Sequence, residues 1–292
     1  MTYATDSFDT LPRIPAWVTS GRVETHEDVA FLSGAALSHL HLVFQHAEVP
    51  HALLRERLAL RAAEVCVTHS GRVERAVELR DAVAFLQPGD HPGPVGETYL
   101  SWQRAVDRPV SVKALHRDLP ELDADQIAIW LDAGQGAPVV RSAAVLQAGL
   151  VERPRDPTTV LILADAALAQ ALGWPHVLPL LALGLKRADL RKAGEALRLA
   201  CHRAIATAAV QVMREAADLT RRAARLKAVA PKLRAKGAEE AVALFLTREA
   251  VAPTSLTSLR SDRAARRLCD RLVDLGAVRE LTGRDTFRLY GI

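Results

Sequence analysis

Apolar residues recur at helical spacing through most of this chain. In "THEDVAFLSGAALSHLHLVFQH" the positions Val29, Leu32, Ala36, Leu40 and Val43 step by three and four, the rhythm of one buried helix face. Thr25 stands before them as an N-cap, with Glu27 and Asp28 in the first turn, where carboxylates favour the helix dipole. Pro50 ends this segment. The pattern repeats through Leu54, Leu58, Ala62 and Val65 up to Gly71, and "RVERAVELRDAVAFL" predicts a third helix. "QPGDHPGPVG", Gln87 to Gly96, holds three prolines and three glycines and reads as a loop. Beyond it "ETYLSWQRAV", "SVKALHRDLP", "DADQIAIWLDAG" and "GQGAPVVRSAAVLQAGL" each predict a helix.

The most apolar stretch is "TTVLILADAALAQALGWPHVLPLLALGLKR". Pro175 and Pro179 divide it into pieces too short to span a bilayer, so it predicts buried helices and no membrane partner. Leu197, Cys201, Ile205, Ala208, Val212, Ala216, Leu219, Ala223 and Leu226 then form one continuous stripe. It predicts a helix from about Glu195 to Ala230, the spine of a helical domain, with Pro231 as its break. Gly237 marks the expected boundary between a helical domain, residues 1–236, and a small terminal domain, residues 237–292.

Strand-like alternation enters only in the last fifteen residues. Before it, "AEEAVALFLTREA" predicts a helix with Val242, Phe245 and Leu246 inward, and "APTSLTSLR" a turn with a short helix around Ser255 to Leu259. Ser261 is the N-cap of a third helix that buries Ala265, Leu268, Leu272 and Leu275 and ends at Gly276. "AVREL" and "TFRLYGI" flank a turn at Gly283, which predicts a hairpin with Phe287 and Leu289 on one face. The expected fold is all-α: a large helical domain followed by a small C-terminal winged helix-turn-helix with a two-stranded hairpin.

Composition agrees. The chain is 49% hydrophobic and 25% charged, a globular balance, and is rich in Ala, Leu and Arg, which are strong helix formers. The net charge of +4 says less than its placement. Arg263, Arg266, Arg267 and Arg271 project opposite the leucines of the third terminal helix, Arg260 precedes it, and Arg284 sits at the hairpin tip. A helix fits the major groove, where arginine can pair with guanine or neutralise phosphate, so these six are the candidate DNA contacts. Asp262, Asp270 and Asp274 lie close by, and an ordinary solvated helix surface is the competing reading. Upstream, "RRAARLKAVAPKLRAK" carries seven basic residues and no acid. Arg221, Arg222, Arg225, Lys232, Arg234 and Lys236 are the candidate secondary phosphate contacts there, with Lys227 among them in the chain.

No catalytic residue, metal ligand or cofactor is assigned. Cys66, Cys201 and Cys269 lie far apart with no CxxC pair, which excludes a zinc knuckle and fits a reducing compartment. In "HLHLVFQH", His39 and His46 share a helix face while His41 points elsewhere, and no third ligand completes a site. Walker A, GxSxG and Rossmann fingerprints are absent. Asp90 and His91, within the Gly/Pro loop, are the remaining candidates for a binding loop. Arg80 with Asp81, and Trp102 with Arg104, predict a buried ion pair or a pocket wall. The start, "MTYATDSFDTLPRIPAW", has acids and prolines where a signal peptide needs a basic start and an apolar core, so a cytoplasmic location is expected.

Longer blocks carry a resemblance. "APKLRAKGA" followed by "SDRAARRLCDRLVDLGAVRELTGRDTFRLYGI", with "EDVAFLSGAAL", "RLALRAA", "LRDAVAFLQPGDHPGPVG" and "LAQALGWPHVLPLL", resembles an alphaproteobacterial family, domain of unknown function 1403, over nearly the whole chain. The tail is similar to that of proteins pairing a Fic-like region with a terminal helix-turn-helix, many of them on large plasmids. That resemblance implies regulatory or replicon-linked work. The order of the terminal elements and their arginines point to a protein that binds double-stranded DNA, with the helical body serving dimerisation or partner and effector binding. The loop H-x-F-x-x-G-N-G-R that Fic catalysis needs is missing. The alternatives are a protein-interaction adaptor without DNA binding and a degenerate Fic-like enzyme.

Overall fold

The computed structural model describes residues 11–20, 25–87, 89–233, 235–284 and 286–292. Its α-helices are α1 (Ala16–Ser20), α2 (His26–Phe44), α3 (His51–His69), α4 (Ala76–Ala84), α5 (Gly93–Asp107), α6 (Val112–Asp118) and α7 (Ala124–Asp132). They continue with α8 (Pro138–Glu152), α9 (Pro157–Ala171), α10 (Leu180–Gly184), α11 (Gly194–Val229), α12 (Ala238–Phe245) and α13 (Asp262–Asp274). Strands β1 (Arg279–Glu280) and β2 (Tyr290–Gly291) pair antiparallel near the C-terminus and form the one sheet among the described residues. The fold is all-α with a small hairpin, as the periodicity predicts.

The described residues of 15–38 and 55–211 form one compact unit, and those of 1–14, 39–54 and 212–292 form another. In the first, α9 is the centre. Its residues from Thr159 to Ala169 are all buried, because a helix apolar all round must be covered on every side. Helix α8 packs on it, and Gly149 explains how. A Cβ there would fall 2.7 Å from Val160 Cγ1, so only glycine lets the helices approach this far. Helix α7 adds Ile127, Trp130 and Leu131 to the core, and Trp130 Nε1 donates to Glu152 Oε1 at 3.1 Å. Trp102 is fully buried and donates to Cys66 Sγ at 3.4 Å, while Arg80 and Asp81 form the expected buried ion pair at 3.0 Å.

Asp165 lies inside this apolar helix with no exposed surface. Its carboxyl accepts the backbone N–H groups of Leu181 at 2.8 Å and Ala182 at 3.2 Å, which open α10 and have no partner within that helix. Burial pushes its pKa up to about 8, against the downward pull of those hydrogen bonds.

Local chemistry sets the helix ends. Asp28 N–H donates to Thr25 Oγ1 at 3.1 Å while Thr25 N–H donates to Asp28 Oδ2 at 3.0 Å, a reciprocal cap at the predicted start of α2. Every stripe residue of α11 named above is buried. Helix α5 begins at Gly93, inside the predicted loop, with Pro94 in the first turn, where no N–H is required. His46 lies beyond the end of α2, so His39 and His46 do not share a helix face. His39 Nε2 contacts the Pro12 carbonyl at 2.8 Å instead.

The terminal elements differ from expectation in two places. Ser255 to Leu259 forms no α-helix; a single 3-10 turn, Pro253–Ser255, stands just before, where proline opens the turn and Ser and Thr favour local bonds over helix. Phe287 and Leu289 do not share a face either. Phe287 has φ of 56° and is 72% exposed, whereas Leu289 is wholly buried. A left-handed residue breaks the alternation that a regular strand would keep. Side chains close the connection between β1 and β2: Thr282 Oγ1 donates to Glu280 Oε1 at 2.9 Å, and Arg288 Nε donates to the Arg284 carbonyl at 2.9 Å. Val251 adds a third edge, exchanging backbone hydrogen bonds with Tyr290 at 2.8 and 2.9 Å.

No described helix is long and apolar enough to cross a membrane. Among the described residues, no group of three or more His, Cys, Asp or Glu is placed to hold a metal ion.

Candidate nucleic-acid interface

Helix α13 divides into two faces. Ala265, Leu268, Cys269 and Leu272 are buried, with Leu275 half-buried at the end. Ser261 Oγ accepts the Ala264 N–H at 3.3 Å and so caps the start. Opposite the buried face, Arg263, Arg266, Arg267 and Arg271 are exposed, and Arg260 is exposed just ahead of the helix. None of these five makes a hydrogen bond or ion pair through its side chain among the described residues, although Asp262, Asp270 and Asp274 share the helix.

Three of the arginines occupy the first two turns, at the positive end of the helix dipole, while Asp270 and Asp274 sit toward the negative end. Arg263 opposes the dipole from the first turn, whereas Asp262 beside it and Arg271 in the last turn favour it. Arg284 stands exposed on the β1–β2 connection, its backbone N–H donating to Glu280 Oε1 at 3.3 Å.

The upstream basic run is partly neutralised. Arg221 and Arg222 both pair with Asp218, at 3.2 and 2.8 Å, and Lys227 reaches Glu48 at 3.8 Å. Arg225, Lys232 and Lys236 are exposed and make no ion pair among the described residues; Arg234 lies outside them. The structure brings Arg222 and Arg225 together with Arg279 of β1 around a concavity of about 350 Å³. Arg279 carried no signal in the sequence, because its neighbours in space are more than fifty positions away.

Among the described residues, the Gly/Pro loop holds no comparable constellation. Asp90 Oδ2 accepts the Gln87 N–H at 2.8 Å and Asp90 N–H returns to the Gln87 carbonyl at 3.0 Å, so this carboxylate closes its own turn. His91 is exposed beside it. Burial raises the thiol pKa values, Cys66 to about 11, Cys201 to about 12 and Cys269 to about 12, so none is poised as a nucleophile.

A second concavity, about 270 Å³, was invisible in the sequence. His26, Glu27, Glu195, Arg198 and His202 line it. Buried Ser33 Oγ lies 2.8 Å from the Ala30 carbonyl and 2.6 Å from His202 Nδ1, and so holds the imidazole by a hydrogen bond. Partial burial holds the His202 pKa below the ordinary value, and Arg198, itself paired with Glu195, adds to that.

Among curated proteins, none matches the chain. A family profile does, over residues 2–292, nearly the full length, and the resemblance read from the sequence blocks is thereby shown: the chain belongs to the family described as Protein of unknown function (DUF1403).

Proposed function

We propose that this protein binds double-stranded DNA through its C-terminal elements, arranged as a winged helix-turn-helix. In this reading α13 is the recognition helix and the β1–β2 connection is the wing. The observation that carries it is the row of exposed arginines on α13, without ion-pair partners among the described residues. The order of elements supports it: α12, the Val251 edge, a short turn, α13, then β1 and β2. Arg263, Arg266 and Arg267 occupy the N-terminal part of the helix, which reaches base edges in this motif. Arg260, Arg271 and Arg284 then meet the phosphate backbone, with Lys232 and Lys236 adding general attraction. The helical body serves dimerisation or binding of a partner or effector, as in a regulatory or plasmid-associated protein.

Titration of genomic duplex fragments at two salt concentrations tests this. Arg266→Ala/Arg267→Ala should weaken binding and relax sequence preference, each base-reading arginine contributing about 1–3 kcal/mol. Arg284→Ala should weaken binding to all sequences alike and flatten the salt slope by about one unit. Unchanged binding by the double variant, or no binding by wild type even at low salt, would sink the assignment. The exposed Phe287 favours a second reading, a protein-interaction module that docks apolar surface. Such docking would show little salt dependence.

A further inference from the structure

We propose that Arg222, Arg225 and Arg279 form a binding site for a phosphate group beside the C-terminal end of α13. Arg222 and Arg225 are three residues apart on α11 and so share a face, and Arg279 opens β1. Together they line the concavity of about 350 Å³, whose remaining walls are Gly276, Ala277, Val278 and Ile292. Apolar walls lower the local dielectric and strengthen the pull of guanidinium groups on an anion.

Arg225 is the centre of the argument. Its guanidinium lies against the turn that ends α13: a Cβ on Gly276 would fall 2.6 Å from its Nη2. Gly276, at φ 63°, leaves both the left-handed conformation and the space that this approach needs. The simplest structural role for such a group would be to cap the helix end. That role is already filled. Ala277 N–H donates to the Leu272 carbonyl at 2.9 Å and Gly276 N–H to the Val273 carbonyl at 2.8 Å, the paired bonds of a Schellman ending. Arg225 is exposed, lines the concavity and makes no hydrogen bond or ion pair among the described residues, so its guanidinium donors are open to a ligand there. Asp218 engages Arg222 through Nε. Arginine forks match phosphate oxygens in geometry as well as charge.

The phosphate can belong to a nucleic-acid backbone or to a free phosphorylated molecule, and the site itself does not depend on α13 entering a groove. The test uses the full chain as wild type, Arg225→Ala, Arg279→Ala and Arg266→Ala/Arg267→Ala. Calorimetric titration with inorganic pyrophosphate comes first, and titration with a duplex at two salt concentrations second. Pyrophosphate should bind wild type and the α13 double variant alike. Each single variant should bind it about tenfold more weakly, the loss of one charge-assisted pair. If Arg225→Ala also weakens duplex binding and lowers the salt slope by about one unit, the site holds a backbone phosphate. If duplex binding is unchanged, or absent in wild type, while pyrophosphate still depends on Arg225 and Arg279, the site takes a free phosphorylated molecule. Pyrophosphate binding that survives both single substitutions, or is absent in wild type at millimolar concentration, overturns the proposal. Circular dichroism and thermal melts confirm that exposed Arg225→Ala folds; should it fail, Arg279→Ala carries the test.

Discussion

Asp165 shows how one residue couples a helix end to pH. Its carboxyl satisfies two backbone donors of α10 yet is wholly buried, and its pKa rises from 3.8 to about 8. Between those values the folded protein keeps a proton that the unfolded chain releases. The stability this contributes is whole below about pH 4 and falls as pH climbs through about 8. Asp165→Asn removes the titration while retaining an acceptor. Urea unfolding across that window should give the variant a flatter profile, with wild type losing up to about 1.4 kcal/mol per pH unit more. Equal slopes for the two proteins would assign the titration elsewhere. The depressed values of His69, His176 and His202 act in the opposite sense, since burial opposes their charged forms and stability is lost as pH falls through the ordinary value of 6.5. Comparing variant with wild type cancels that contribution.

At the scale of elements, α13 makes the clearest prediction. Leu272 is fully buried on the apolar face, so Leu272→Ala should destabilise by about 2–5 kcal/mol in chemical unfolding. A loss below about half a kcal/mol, within the range of surface changes, would place that face in solvent. This helix was legible from its spacing, its serine cap and the glycine past its end, all local signals; α2 and α11 were legible for the same reason. The hairpin was less so. Its strands hold two residues each, and Glu280, Thr282 and Arg288 close the connection through side chains, which leave no period-two mark. The left-handed Phe287 adds a break that no propensity predicts. Of the candidate site, the arginines of α13 could be read from one helix alone. The pairing of Arg221 and Arg222 with Asp218 was open to the same reading, by spacing of three and four. Arg279 was not, because only the tertiary fold brings β1 to α11. The Ser33–His202 pair escaped likewise, being 169 positions apart.

For the whole molecule, the arrangement of the three cysteines has a consequence in kinetics. Cys66 and Cys201 belong to the unit built on α9, and Cys269 to the unit that contains α13. All three are buried, and burial keeps each thiol protonated far above neutral pH. An alkylating reagent therefore meets neither an accessible sulfur nor a thiolate until the surrounding structure opens. Labelling rates read by peptide mass spectrometry should then report an opening free energy for each unit from a single unmodified protein. Cys66 and Cys201 should react in step, while Cys269 follows a rate of its own, and reaction of all three at the rate of a free thiol would show that the cores described above are not closed. A duplex held by α13 should slow the Cys269 clock alone, since a ligand that binds only the closed form lowers the population that reacts.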